Sequence, residues 1–160
     1  PLSNPAGANR QLLGVFAKQW VEPLAHVLKK LGSERAWVVH GSDGLDELTT
    51  TGPSTVAELR KGEVSVFEVH PEDCGLACAD PADLVGGDPQ NNAEAMRALF
   101  AGQQSAYRDI VVLNTAAALH ICNKAQSLKE GAEMAALAID DGGARKALDQ
   151  LVEVSQRLGG

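Results

Sequence analysis

Two short apolar runs separated by a single amphipathic segment limit this chain to few folds. Residues 11–16 (QLLGVF) and 36–40 (AWVVH) are bounded by turn-forming residues, and an apolar stripe at helical spacing runs through residues 24–31. Pro23 is tolerated only in the first turn of a helix, and Gly32 suits a left-handed cap at the end of one. The pattern predicts a strand, a helix and a second strand, with the two strands parallel.

The rest of the chain continues the sheet briefly and then becomes helical. Residues 55–59 and 64–69 have strand patterns and are joined by a four-residue link, which predicts a hairpin. Capping residues and apolar periodicity then predict four helices, over residues 89–101, 107–122, 128–140 and 144–158. We therefore expect one α/β domain, with a parallel or mixed sheet flanked by helices and a helical C-terminal half.

Composition and charge exclude several classes of protein. The 160 residues are 44% hydrophobic, enough for a core, but their apolar stretches are far too short to cross a bilayer. A net charge of −7 argues against nucleic-acid binding, which needs a basic face. Three cysteines, an odd number, favour reduced thiols and a cytoplasmic location. Because the chain lacks an initial Met, we expect it to be part of a longer polypeptide.

The second predicted strand runs directly into an acidic, glycine-containing loop. Asp43, Asp46 and Glu47 lie within five residues, and ligands of α/β sheets bind at the carboxyl ends of parallel strands. Mg²⁺ typically takes one or two carboxylates together with phosphate oxygens and water. The loop therefore suggests a metal site for a phosphorylated substrate, while an acidic loop that only keeps the surface soluble is the alternative.

Other polar residues have more ordinary explanations. Residues 86–88 (GGD) resemble a phosphate-binding loop, but Asp88 followed by proline already accounts for a helix start. Cys74 and Cys78 near His70 lack the ligand number and spacing of a zinc site.

Two polar side chains fall within otherwise apolar elements. His40 ends a strand beside the acidic loop, where it has either a structural role or a role near a phosphate. Asn114 lies in an almost wholly apolar helix and should be hydrogen-bonded to neighbouring backbone or side chains.

Taken together, these segments resemble the anthranilate phosphoribosyltransferase family over essentially the whole chain. The resemblance is carried by residues 1–6 (PLSNPA), 10–16 (RQLLGVF), 38–47 (VVHGSDGLDE), 86–88 (GGD), 92–93 (NA) and 113–119 (LNTAAAL). The HG-x-DG-x-DE string, correctly spaced after the first two segments, is its most specific part.

The resemblance implies transfer of the phosphoribosyl group of phosphoribosyl diphosphate (PRPP) to the amine of anthranilate, with release of diphosphate, in tryptophan biosynthesis. It implies that Asp46 and Glu47 bind Mg²⁺ and that Pro1 lies near the anthranilate. It assigns no catalytic acid or base to this chain. It also implies a homodimer formed through an N-terminal helical domain.

Three parts expected of that family are missing from this chain, namely the GTGGD phosphate loop, a KHGNR-type segment and the helical domain. We therefore expect residues 1–160 to be the C-terminal part of the enzyme's α/β domain and to be inactive alone. Two alternatives are a non-catalytic fragment and a relative with another substrate, such as a pyrimidine nucleoside phosphorylase.

Overall fold

The computed structural model describes residues 7–158, which form four strands and five helices. The strands are β1 (Arg10–Gly14), β2 (Arg35–Gly41), β3 (Ser54–Arg60) and β4 (Glu63–Val69). The helices are α1 (Val21–Lys30), α2 (Pro89–Phe100), α3 (Ala106–Ile121), α4 (Leu128–Asp140) and α5 (Gly143–Leu158).

The strands form one mixed sheet in the order β1-β2-β3-β4. β1 pairs with β2 in parallel, while β2 with β3 and β3 with β4 are antiparallel. The predicted parallel pair joined by a helix and the predicted hairpin are both confirmed, as is the α/β fold class with its helical C-terminal half.

The central strand β2 is covered on both faces. Ala36 and Val38 point into a core shared with α1, whereas Trp37 and Val39 point into a larger core shared with α3 and α4. A strand that is buried on both faces has no polar side to present. This explains why residues 36–39 are uninterrupted by polar side chains.

The prediction for β1 was wrong in its extent and its burial. We expected a buried strand over residues 11–16, but β1 is Arg10–Gly14 and every residue in it is only partly buried. Phe16 lies beyond the strand and is 79% exposed. Among residues 7–158, β1 pairs only with β2, which leaves its other side without a partner strand there, and an apolar run cannot by itself reveal this.

The hairpin turn is also shorter than expected. Arg60 pairs directly with Glu63, so the link is Lys61 and Gly62 alone rather than four residues. Both turn residues have positive φ, 51° and 78° respectively. That is the geometry of a two-residue turn that matches the twist of the strands. Gly is well suited to it, and Lys61 adopts it despite its side chain.

The helices begin and end close to their predicted limits. Pro23 lies in the first turn of α1, and Gly32, with φ of 84°, ends that helix. Asp88 caps α2 by accepting a hydrogen bond from the Asn91 amide at 2.8 Å. Among the sixteen residues of α3, Thr115 alone is exposed, which confirms the prediction of a central helix.

A buried polar cluster fastens α3 to the end of the sheet where β2 begins. The Arg35 guanidinium, 4% exposed, contacts the Glu58 carboxylate at 2.8 and 3.0 Å. The same guanidinium donates to the His120 carbonyl and to the Asn123 side chain, each at 2.7 Å. Trp37 donates its ring N–H to Glu58 at 3.0 Å. The buried charges are thus paired and hydrogen-bonded, as burial requires.

Candidate functional site at the carboxyl end of the parallel strands

The candidate site is the loop of residues 42–53, which joins β2 to β3. Because β1 and β2 are parallel, their carboxyl ends meet at one edge of the sheet, and the loop leaves β2 at that edge. It carries the three carboxylates of the predicted metal site, those of Asp43, Asp46 and Glu47. All three residues are exposed, and the structure separates them by their hydrogen bonds within the loop, which only the first of them makes.

Asp43 is the carboxylate that the loop uses for itself. One oxygen accepts the Leu45 amide at 3.1 Å, and the other accepts the hydroxyls of Thr49 at 2.5 Å and Thr51 at 2.7 Å. Partial burial acts to raise the pKa of Asp43, but the hydrogen bonds from these groups outweigh it, and the pKa is lowered. Asp43 therefore organises the loop through hydrogen bonds to both of its oxygens.

The loop can close around Asp43 because residue 41 has no side chain. A β-carbon at Gly41 would lie 2.7 Å from the Asp43 carboxylate and 3.1 Å from the Thr49 side chain. Both distances are shorter than a β-carbon normally allows, so a side chain at residue 41 would displace the Asp43 carboxylate or the Thr49 side chain. Gly41 therefore favours the observed position of the Asp43 carboxylate.

Asp46 and Glu47, also exposed, are the acidic pair of the loop. Within residues 7–158, neither carboxylate forms an ion pair or a side-chain hydrogen bond. Their oxygens are thus open to a ligand at the edge where the sheet meets solvent. Across the described part of the chain, no group of three or more His, Cys, Asp or Glu side chains is arranged to hold a metal ion. Any metal here would take its remaining ligands from substrate or water.

Asn114 holds the loop from behind the acidic pair. Its side-chain oxygen accepts the Leu48 amide at 3.1 Å, and its side-chain nitrogen donates to the Leu48 carbonyl at 2.8 Å and to the Ile110 carbonyl at 3.0 Å. This confirms that the polar residue in α3 is satisfied by hydrogen bonds. Its partner, 66 residues away in the chain, was not foreseen.

His40 joins the ends of the two parallel strands. Its Nδ1 lies 2.8 Å from the Val15 carbonyl, and since a carbonyl only accepts, Nδ1 carries the proton. The histidine therefore has the structural role that the sequence left open as one of two.

An apolar cleft that the sequence analysis missed adjoins the acidic pair. It has a volume of about 380 Å³ and lies at the carboxyl end of β1. Its lining consists of Gly14, Val15, Phe16, Trp20, Leu24 and Asp46. Phe16 and Trp20 are 79% and 42% exposed. The only sequence signal was the aromatic residue at the end of an apolar run, which we assigned to the strand itself.

The remaining candidates have structural explanations. Asp88 is a helix cap, and the Gly87 backbone is hydrogen-bonded on both sides by the Asn92 side chain. Cys74 is buried and donates to the Leu128 carbonyl, and its burial raises its pKa to about 11. Such a thiol is unsuited to metal binding or nucleophilic attack. Pro1, assigned near the anthranilate by resemblance, lies outside the described residues.

No helix in residues 7–158 has the length and apolar character needed to cross a membrane.

The mixed sheet and the helices packed against it define an α/β domain, with an acidic loop at the carboxyl end of its parallel strands. A family model described as "glycosyl transferase family, a/b domain" matches residues 1–145, and the chain belongs to that family.

The similar proteins are anthranilate phosphoribosyltransferases. The one from Azospirillum brasilense is 68% identical over 155 residues, which are 97% of this chain and 44% of that protein. The crystal structure of the Thermus thermophilus enzyme is 38% identical, has a TM-score of 0.87, and is matched over 96% of this chain and 45% of its own.

A third similar protein, from Saccharomyces cerevisiae, was solved in complex with PRPP and Mg. It is 25% identical, with a TM-score of 0.82, over 90% of this chain and 42% of its own. The chain thus spans less than half the length of the relatives that it matches.

Proposed function

We propose that this chain is the C-terminal part of an anthranilate phosphoribosyltransferase and supplies the Mg²⁺ ligands of its PRPP site. The observation that carries the proposal is the exposed, unpaired Asp46 and Glu47 on the loop after β2, in a chain 68% identical to such an enzyme. The yeast relative that binds PRPP and Mg has the same fold over this region.

The donor set fits the ion. Mg²⁺ is a hard cation that proteins usually bind through one or two carboxylates, with substrate phosphate oxygens and water completing the shell. Asp46 and Glu47 provide two such carboxylates and nothing in residues 7–158 neutralises them. When bound, Mg²⁺ would supply positive charge to the oxygens of a leaving diphosphate.

The reaction itself needs little from this chain beyond that site. The bond between the ribose carbon and diphosphate breaks, diphosphate leaves with the electron pair, and the anthranilate nitrogen forms the new bond and loses a proton. We assign no catalytic acid or base here. The contribution of these residues is to hold the acidic pair at a fixed place on the sheet edge, because positioning accounts for much of such a rate.

Further parts of the enzyme follow as proposals. The phosphate loop and the helical domain would lie in the part of the enzyme that this chain does not span, so residues 1–160 alone should not catalyse the transfer. The homodimer would form through that helical domain, and Pro1 would lie near the anthranilate. A cytoplasmic location agrees with three free cysteines, and the net charge of −7 agrees with small-molecule rather than nucleic-acid partners.

The test neutralises the acidic pair in the full-length enzyme. Asp46→Asn with Glu47→Gln should reduce the rate of anthranilate consumption at limiting Mg²⁺ by at least about 100-fold. A matched control, Glu133→Gln with Glu153→Gln, makes the same charge change at two exposed residues of α4 and α5 and should leave the rate unchanged.

Two outcomes would contradict the proposal. Near-normal turnover of the Asp46 and Glu47 variant at limiting Mg²⁺ would show that these residues are not the metal ligands. If the unsubstituted enzyme does not consume anthranilate but cleaves a pyrimidine nucleoside in the presence of phosphate, the proposed substrate is wrong.

A further inference from the structure

The segment of residues 46–48 is held by the buried Leu48 side chain, by the packing of the Asp46 carbonyl against Gly14, and by hydrogen bonds from one side chain. Within the described residues, the only hydrogen bonds that reach it are those between Asn114 and the Leu48 backbone. The neighbouring parts of the loop have anchors of their own. Asp43 holds Leu45 on one side, and Thr49 donates its amide to Ser54 on the other, at 2.9 Å.

The contact is built as a pair. The Asn114 amide accepts from the Leu48 N–H and donates to the Leu48 C=O, as a neighbouring strand would. Leu48 is fully buried, so without this partner both its backbone groups would be left unsatisfied. Leu48 follows Glu47 directly, and its position therefore sets where the acidic pair leaves the protein.

An asparagine in this part of α3 is unfavourable both for the helix and for the packing of the core, which suggests that its side chain has another role. Asn114 lies in α3 beside Leu113, Ala116 and Ala117, all fully buried, and asparagine has low helix propensity. Leucine has nearly the same shape and would form the helix and its core better. Only the loop backbone needs the amide.

We infer that Asn114 is a positioning residue that fixes the Asp46–Glu47 pair for metal binding through its two hydrogen bonds to Leu48. The inference rests on the proposed function, because it takes the acidic pair to be the Mg²⁺ ligands. It predicts that metal affinity depends on a side chain in the centre of a helix that presents no ligand itself.

The test compares two substitutions at this residue with a control just beyond the C-terminal end of α3. Asn114→Asp keeps the acceptor oxygen and loses the donor, while Asn114→Ala loses both. The control, Asn123→Ala, removes the side chain that accepts from Arg35 and so disturbs a buried contact at the opposite end of the strands. All three variants are made in the full-length enzyme and in the Asp46→Asn, Glu47→Gln background.

Two measurements do not depend on turnover. Mn²⁺ binding, followed by electron paramagnetic resonance in the presence of inorganic diphosphate, reports affinity directly. Amide hydrogen exchange reports the order of residues 45–48. We expect Asn114→Ala to weaken Mn²⁺ binding about 10- to 100-fold and to speed exchange in that segment, with Asn114→Asp intermediate. Asn123→Ala should lower the unfolding temperature without either effect.

The outcomes separate this inference from the function on which it rests. If the Asp46 and Glu47 variant loses Mn²⁺ affinity but Asn114→Ala binds as the control does, Asn114 is not a positioning residue and the proposed function stands. If the acidic pair can be neutralised without loss of affinity, both are wrong. If Asn114→Ala weakens binding only where the acidic pair is intact, both are supported.

Discussion

The backbone carbonyl of Asp46 lies against Gly14 so closely that a β-carbon on residue 14 would stand 1.5 Å from the carbonyl oxygen. The acidic loop is therefore pressed onto the carboxyl end of β1 at a place where only glycine fits. Asn114 then holds the same segment from the side of α3.

This contact predicts the effect of Gly14→Ala. The methyl group forces the loop away from β1, so the free energy of unfolding in urea should fall by about 1–3 kcal/mol. Gly86→Ala is the control, since its β-carbon would meet only Asn92 side-chain atoms, the nearer at 3.4 Å, and it should stay within about 0.5 kcal/mol. Equal stability of the two variants would contradict the close packing.

Asp43→Asn should change how stability depends on pH. The pKa of Asp43 is lowered in the folded protein, so its carboxylate stabilises the fold above the pKa of the unfolded chain, about 3.9, and this contribution is lost as the pH falls through the folded value. As the pH falls from about 5 to about 2, the wild type should therefore lose more stability than the variant.

The measurement for Asp43 is urea unfolding at a series of pH values. At neutral pH the variant should be less stable by about 1–2 kcal/mol, because charged hydrogen bonds from Thr49 and Thr51 are weakened. A constant difference between the two proteins across the whole acid range would show that Asp43 is not held as an anion.

The three thiols should react at two different rates. Cys78 and Cys122 are exposed, while Cys74 is buried and its pKa is raised to about 11. A disulfide reagent at about pH 8 should modify the first two rapidly and Cys74 only after unfolding, since the thiolate is the reactive form.

The raised pKa of Cys74 also predicts how the stability of the fold changes at alkaline pH. Because the folded pKa exceeds the unfolded one, the stability it contributes is complete below about pH 8.5 and is lost as the pH rises toward the folded value. Rapid modification of all three thiols in the folded protein would overturn the assignment.

Glu58→Gln tests the polar cluster at the end of the sheet where β2 begins. The substitution leaves the buried Arg35 without a counter-charge, and removing one partner of such a pair costs about 3–5 kcal/mol. Glu63→Gln, at the exposed hairpin turn, should change stability by less than about 0.5 kcal/mol. Thermal unfolding of both variants is the check, and similar melting temperatures would contradict the role of the pair.

Features that depend on neighbours in sequence were predictable. The helix limits at Gly32 and Asp88 follow from capping preferences, and the place of the acidic loop follows from a strand that ends at a sheet edge. The predictions were wrong where the burial of a strand depends on its position in the sheet. Nothing in the run of residues 11–16 distinguishes an edge strand from a central one, so Phe16 was assigned to the strand.

The interior of the candidate site was not predictable for a related reason. Three nearby carboxylates look alike in sequence, and Asp43 differs from Asp46 only because the hydroxyls of Thr49 and Thr51 fold back onto it. The sequence showed that Asn114 needs hydrogen-bond partners, but that Leu48 is the partner depends on how α3 crosses the sheet. Both are contacts that the chain makes only when folded.

Helix α3 is attached to both ends of the parallel strands, and this constrains the number of residues between its two attachments. Asn114 binds the loop at the carboxyl end, while the carbonyls of His120 and Cys122 receive Arg35 and Arg10 at the amino end. One residue inserted or deleted between them would rotate one attachment by about 100° relative to the other. Only one end could then stay in register, so a change of length at this point would be transmitted along the whole length of the strands.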